Sequence, residues 1–368
     1  MNRSVDPHWM RFAVGVIGLL ALATTAFLLA PVLWPVVKLL IIVTLVTPAL
    51  NDLVHWQVKR RVPRWLAVTD LVLLLLLVGT GCVYFLVPPL VTQFRALLTA
   101  APGMWAAVNT QIGRVFHRFP ELSTSIDLNQ FVRNLLVGAD SAATTVRTVF
   151  SSTVSVLTTF VLVVVLVIYA LLNPWPLLYG LRGLFPNEWW PTLDALAHSV
   201  ARRIRAWVIG TVILGLLVGT LDYLGLTVLN LFFHGAMPFV LLFAILGGVL
   251  EVLPVVGPVI SAVLPTLVGF AIDPLLGFLV LGLFVLVQQL ENFVLAPIVM
   301  GKALDLHPVS LLVALVTLST LCGFFGAIIA VPVAALCKVL YDEWYYPLMH
   351  HGHAPVPPPH IDADTRAG

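Results

Sequence analysis

The sequence is poor in charge. Only 10% of its 368 residues are Asp, Glu, Lys or Arg, against about 25% in an ordinary soluble domain. With 60% hydrophobic residues and a mean hydropathy of +1.04, a soluble fold is excluded. The net charge of +2 offers no basic surface for nucleic acid. Cysteine is scarce: Cys82, Cys322 and Cys337 fall in apolar runs without metal-type spacing and read as small packing residues. The chain also lacks a GxxxxGK[ST] phosphate loop, HExxH, GxSxG and paired aspartates on neighbouring spans. Nucleotide-driven work and intramembrane hydrolysis therefore lack their parts. No enzyme activity, cofactor or metal centre is expected.

What the sequence has is long apolar runs near the roughly 20 residues that cross a bilayer. They lie at about 12–30, 36–53, 65–87, 153–172 and 207–229, with a sixth at about 275–295. Lys59, Arg60, Arg61 and Arg64 cluster after the second run, and Arg182, Arg202, Arg203 and Arg205 before the fifth. The positive-inside rule puts both loops in the cytoplasm, together with both termini. Residues 88–152 are too polar to span. Their apolar positions Phe94, Leu97, Leu98, Val108, Ile112, Val115 and Phe116 recur at helical spacing, which predicts extracytoplasmic amphipathic helices bracing the bundle or a neighbouring subunit.

Two segments, 237–272 and 307–340, are each about 35 residues long. Each exceeds one crossing and falls short of two. Each is also interrupted, by EVLPVVGP (251–258) and by STLCGFFG (319–326). Re-entrant hairpins opening from opposite faces fit both facts; eight full crossings, two of them kinked, are the alternative. The fold class expected is an all-α integral membrane protein: a polytopic bundle of about six transmembrane helices, two re-entrant helical hairpins and the extracytoplasmic helical region. One transmembrane domain covers 1–349, and 350–368 forms a disordered His/Pro-rich cytoplasmic tail. The tail's His350, His351, His353 and His360 read as incidental and not as metal ligands.

Ionisable groups within lipid cost about 2.5–3.5 kcal/mol each and so need a reason. Lys38 can snorkel, and Asp70 lies near the cytoplasmic face. Glu251 ends a half-helix just before Pro254, Gly257 and Pro258; Pro254 should free carbonyls near Val249 and Leu250, making a cation or hydrogen-bond site beside the carboxylate. Gln288, Glu291 and Asn292 share one helix face by i, i+3, i+4 spacing, either as a path lining or as glue between helices, while Gln289 points elsewhere. The second break offers Ser319, Thr320, Gly323 and Gly326 before Pro332, for close packing or for substrate contact. Asp222 is a possible further path residue. The residues thus fit an ATP-independent transporter of a small polar solute or a monovalent cation, with a non-transporting scaffold as the bland reading.

Three stretches, LLFAILGGVLEVLPVVGPVISAVLP, VQQLENFVLAPIVMGKALDLHPVSLLVAL and CGFFGAIIAVPVAALCKVL, resemble the autoinducer-2 exporter (AI-2E) family of permeases. The resemblance implies a bacterial inner-membrane protein and a homo-oligomer, pentameric in members of known structure. It also implies export of a small quorum signal or, in some members, sodium or lithium exchange for protons. By motif position it assigns Glu251, Pro254, Gly257 and Pro258 to the first break, and Glu291, Asn292 and Pro297 to the helix that follows. Two stretches depart from the family pattern: LNLFFHGAMPFVLLF is longer and bulkier than the usual glycine turn, and Ser319 and Thr320 replace small apolar residues. Both departures lie near the expected path.

Overall fold

The computed structural model describes residues 7–118, 153–173, 183, 185–301 and 306–349, and among them all regular structure is helical. In chain order the helices are α1 (Pro7–Lys59), α2 (Arg64–Arg118), α3 (Thr153–Leu172), α4 (Trp190–Phe232), α5 (Val240–Leu250) and α6 (Val256–Ile272). They continue as α7 (Pro274–Leu290), α8 (Ala296–Met300), α9 (Pro308–Val339) and α10 (Tyr346–Met349), with π-helical turns at Glu291–Leu295 and Leu340–Tyr345. Among the described residues, five stretches are long and apolar enough to cross a membrane: Leu33–Lys59, Arg64–Val108, Asn187–Phe232, Pro274–Met300 and Pro308–Tyr345.

Two expectations from the sequence are corrected. The apolar runs at 12–30 and 36–53 do not form two separate helices, although Pro31 and Pro35 lie between them. They belong to one helix of 53 residues, so its N-terminal end and Lys59 lie at opposite ends of one rod. Apolar flanks supply no polar group to compete for the backbone, and neither proline is enough to end the helix. Likewise, α2 does not stop at Pro88. It runs 55 residues through Pro88, Pro89 and Pro102 to Arg118. Its Leu90, Phe94, Leu97 and Met104 pack with Leu242, Phe243 and Val268 of α5 and α6 in one apolar core, so the predicted amphipathic stripe serves the bundle itself. The rest of that expected region, 119–152, and the tail, 350–368, lie outside the described residues.

One end of the bundle is stapled by polar contacts. Arg64 donates to the Leu171 carbonyl at 2.7 Å and to Asn51 at 3.1 Å, and Gln57 donates to Asp70 at 2.8 Å. Arg205 pairs with Asp52 at 2.5 Å; Lys338 and Arg203 reach Asp342 at 3.3 and 3.9 Å. The ends of α1, α2, α3, α4 and α9 therefore share one face, where Trp189 also meets Trp344 edge-on at 5.9 Å. Amphipathic aromatics beside arginines are the residues expected at a membrane boundary.

Both predicted breaks are present, and at each the chain folds back. Leu242 and Phe243, early in α5, share a core with Val268 and Ile272, late in α6, around a turn at Glu251–Val255. In α9 the helix is interrupted at Gly323 (φ 62°, ψ −145°), and Gly326 returns against the Leu318 carbonyl. Only glycine permits these turns at the observed spacing: a Cβ at Gly257 would strike the Leu250 carbonyl, and one at Gly326 the Leu318 carbonyl. The first pair of half-helices has its open end against Leu226 and Leu276, away from the Arg205 face. The second closes towards that face through Lys338 and Asp342.

The α5 half-helix packs on α4 with almost no side chain between them. Gly215 and Gly219 of α4 meet Ala244 and Gly248 of α5, the small-residue seam that lets membrane helices approach backbone to backbone. The N-terminus of α5 is held by Gln93 of α2, whose side-chain oxygen accepts the Leu242 N–H at 3.0 Å. That contact satisfies one of the donors every helix start leaves open.

Candidate functional site: a cavity between the first break and α7

A cavity of about 540 Å³ opens where the α5–α6 turn faces α4 and α7. The turn contributes Glu251, Pro254, Val255 and Pro258; α7 and its π turn contribute Phe284, Gln288, Glu291 and Asn292; α4 contributes Trp207, Thr211 and Leu214. Met300, Leu306, Leu311 and Val331 complete the wall. Its volume lies in the range of small-molecule pockets, and its composition is the usual one of apolar walls with a few convergent polar groups.

The turn is built by proline. With no N–H at Pro254, the helix cannot continue, and the chain tightens: Leu253 donates to Leu250 at 2.9 Å, Val256 to Pro254 at 2.7 Å and Gly257 to Leu253 at 2.8 Å. The carbonyls of Val249 and Leu250, expected to be free for a cation, instead accept from Val252 at 3.4 Å and Leu253 at 2.9 Å, so tightening of the last turn has consumed them. The polar capacity of the turn is thus its carboxylate. Val255 holds φ at +67°, a costly setting for a β-branched residue. Such strain collects at functional turns.

Across the cavity, Glu291 is 8% exposed and accepts a hydrogen bond from Gln288 at 2.7 Å. It opens a π turn five residues long, and Pro297 follows that turn after one intervening residue. In α-geometry the Pro297 ring would press on the carbonyl four residues back; the wider turn relieves that contact, and such π bulges are frequent at functional sites. Glu251 and Glu291 thus present two carboxyl groups to the same cavity.

Of the residues singled out from the sequence, Glu251, Pro254, Pro258, Gln288, Glu291 and Asn292 line this one cavity. Gln289 stays outside it, as its helix position required. Gly257 is buried behind the turn, and Pro297 lies beyond the π stretch. Ser319, Gly323 and Gly326 do not line it, because the second pair of half-helices contributes its legs, Leu311 and Val331, and not its tip. The Ser319 and Thr320 hydroxyls donate to the Val316 carbonyl of their own helix at 3.0 and 2.8 Å. The Lys38 amine sits over the rings of Trp34 and Phe325, at 5.3 and 5.8 Å from the centroids, beside the second tip. Cys82 and Cys337 are exposed and do not pack in a core. Asp222 is 1% exposed and outside the cavity, with Gly247 against its carboxylate.

Sequence reasoning missed Trp207 and Thr211. The signal was available: Trp207, Thr211, Leu214, Val218 and Asp222 recur at three- and four-residue spacing, which marks one inward stripe of α4.

Residues 16–346 match the sequence profile described as AI-2E family transporter. The chain belongs to the AI-2E transporter family. It is similar to YhhT of Escherichia coli K12, at 24% identity over 294 residues, 79% of each chain. It is also similar to sll0063 of Synechocystis, at 25% over 311 residues, 81% of this chain and 75% of the relative. YueF of Bacillus subtilis is 30% identical over 143 residues, 39% of this chain and 37% of the relative, so that match spans well under half of YueF. All three are provisionally named transport proteins. The cavity described above thus lies in a member of the AI-2E transporter family, on a helical scaffold with five membrane-length stretches among the described residues.

Proposed function

We propose that this AI-2E family member moves a small polar organic solute across a bacterial inner membrane without ATP. The solute would bind in the cavity, with Glu251 and Glu291 meeting its hydroxyl groups, and the two broken-helix pairs act as re-entrant hairpins that shift to change which side it faces. The observation that carries this reading is the convergence of Glu251, Gln288, Glu291 and Asn292 on one cavity of about 540 Å³ whose remaining wall, Thr211 apart, is mainly apolar. Such a site offers hydrogen-bond partners at one end and dispersion contacts elsewhere, as a compact oxygenated metabolite or signal molecule requires. The Arg205 face is the cytoplasmic one in this proposal, by the excess of Lys and Arg there. A self-associated form, pentameric by family resemblance, is part of the same proposal.

A second reading, exchange of sodium or lithium for protons, is favoured by the carboxyl pair alone. Glu251 and Glu291 face each other with no Lys, Arg or His anywhere in residues 240–300, so a cation or proton would balance them. Proteoliposomes carrying the full chain and a pH-sensitive dye separate the two: a sodium pulse that discharges an imposed proton gradient supports exchange. Comparison of metabolites retained by cells with and without the gene tests the first reading. A chain that moves neither class, in either assay, would instead be the non-transporting scaffold.

A further inference from the structure

Asp222 has no role in the cavity as described, yet it is one of the most deeply buried side chains in the molecule, at 1% exposed. Its Oδ1 has no hydrogen-bond partner. A carboxylate shut away from water without a partner is among the costliest arrangements a membrane helix can hold. It does not serve close packing either: Gly247 has given up its side chain where the Asp222 carboxylate lies.

Its position relative to the cavity follows from the helix contacts. Gly215 lies against the Glu251 Cβ side of α5, and Asp222 against Gly247, one helical turn before Glu251 on the same face. On the other side, Gly210 lies against Met300 and Gly225 against Leu283, so α4 and α7 run antiparallel with Glu291 about level with Val218 and Gly219. Along α4 the three acidic groups therefore form a stair: Glu251 near Gly215, Glu291 near Val218, then Asp222 one turn beyond, away from the Arg205 face. Along the helix axis the steps are about 4.5 and 6 Å, close to the rise of one turn.

The titratable groups on the packed elements are few. α5, α6 and α7 with its π turn bring Glu251 and Glu291, while Asp273 caps the start of α7 at its far end. On α1, Lys38 is held over Trp34 and Phe325, and Asp52 is paired with Arg205. On α9, Lys338 is paired with Asp342. Among the described residues, no cationic side chain pairs with Asp222 from these elements.

We propose that Asp222 is a proton-holding residue that exchanges its proton with Glu251 and Glu291, loading the cavity's carboxyl pair from the dry α4–α5 seam. The step is a proton transfer between oxygens: the Asp222 O–H bond breaks as one forms on Glu291 or Glu251, and the proton then leaves to the cavity, with no redox partner. This deepens the transport reading, since it makes the solute's passage proton-linked, and it rests on that reading for its physiological meaning.

The test is infrared difference spectroscopy of the full chain in lipid, recorded between alkaline and acid pH, with aspartate labelled by ¹³C at the side-chain carboxyl. A protonated-carboxyl band that shifts with the label, appears on acidification and vanishes in Asp222→Asn supports the proposal, as does its return, displaced, in Asp222→Glu. If Asp222→Asn fails to assemble, the labelled wild type still decides. Absence of any label-sensitive carboxyl band, or one that is unchanged across the pH range, overturns it. Persistence of the band in an assembled Asp222→Asn chain also overturns it. The readout needs no solute, so a titrating Asp222 in a chain without flux supports this inference while defeating transport; a silent Asp222 in a flux-competent chain does the reverse.

Discussion

Gly215 and Gly248 face each other backbone to backbone: a Cβ on Gly215 would sit 2.5 Å from the Gly248 carbonyl oxygen, and a Cβ on Gly248 would strike the Gly215 carbonyl. Backbone cannot give way as a flexible side chain can. Gly215→Ala or Gly248→Ala should therefore force α4 and α5 apart and cost about 1–3 kcal/mol. Gly103→Ala and Gly282→Ala, where nothing lies within 4 Å, are the controls. Thermal unfolding in detergent should show lowered midpoints for the first pair only; equal midpoints for all four would contradict the seam.

Glu251→Gln keeps the shape of the turn and removes its charge. Flux in reconstituted vesicles should fall at least tenfold while assembly, read by size-exclusion chromatography, is unchanged. Gln289→Ala, on the opposite face of α7, should leave flux near the wild-type rate. Wild-type flux from Glu251→Gln would remove that residue from the path.

Leu311 and Val331 line the same cavity although an unbroken helix would hold them about 30 Å apart. With the three native cysteines replaced, a Leu311→Cys, Val331→Cys chain carrying spin labels should report a separation well below that length. A distance near the straight-helix value would dismiss the fold-back at Gly323.

The staple face should respond unevenly. Asp52 and Arg205 are each substantially exposed, with side-chain exposures of 50% and 40%, so Asp52→Asn should cost no more than about 1 kcal/mol. Arg64 serves a backbone carbonyl at the end of α3 and Asn51 together, and Arg64→Ala leaves that carbonyl without its donor. Its cost should be about 1–3 kcal/mol. Chemical denaturation of the two variants side by side measures the contrast.

Much of this arrangement could be read from the chain, and the parts that could not have physical reasons. Pro254 and the glycine of GFFG announced both breaks, because no helix passes such residues unchanged when half its length is already surplus. The i, i+3, i+4 stripe found Gln288, Glu291 and Asn292. What sequence could not supply was how far each element reaches. Prolines at 31, 35, 88 and 89 stood as natural stops, yet α1 and α2 pass straight through them. Nor could spacing tell that the second break sends its tip past the cavity and offers only Leu311 and Val331. Trp207 and Thr211 were missed because neither is charged, and charge was the guide.

The π turn at Glu291–Leu295 carries one residue more per turn than the helix on either side. Drawing that surplus residue into α-geometry would swing everything after it by about 100° and advance it by about 1.5 Å. Glu291 and Gln288 would stay anchored while Met300 turned off Gly210. In that register the cavity wall beyond Glu291 would turn like a shutter on a fixed post, with the breaks at Glu251–Val255 and Gly323 unchanged.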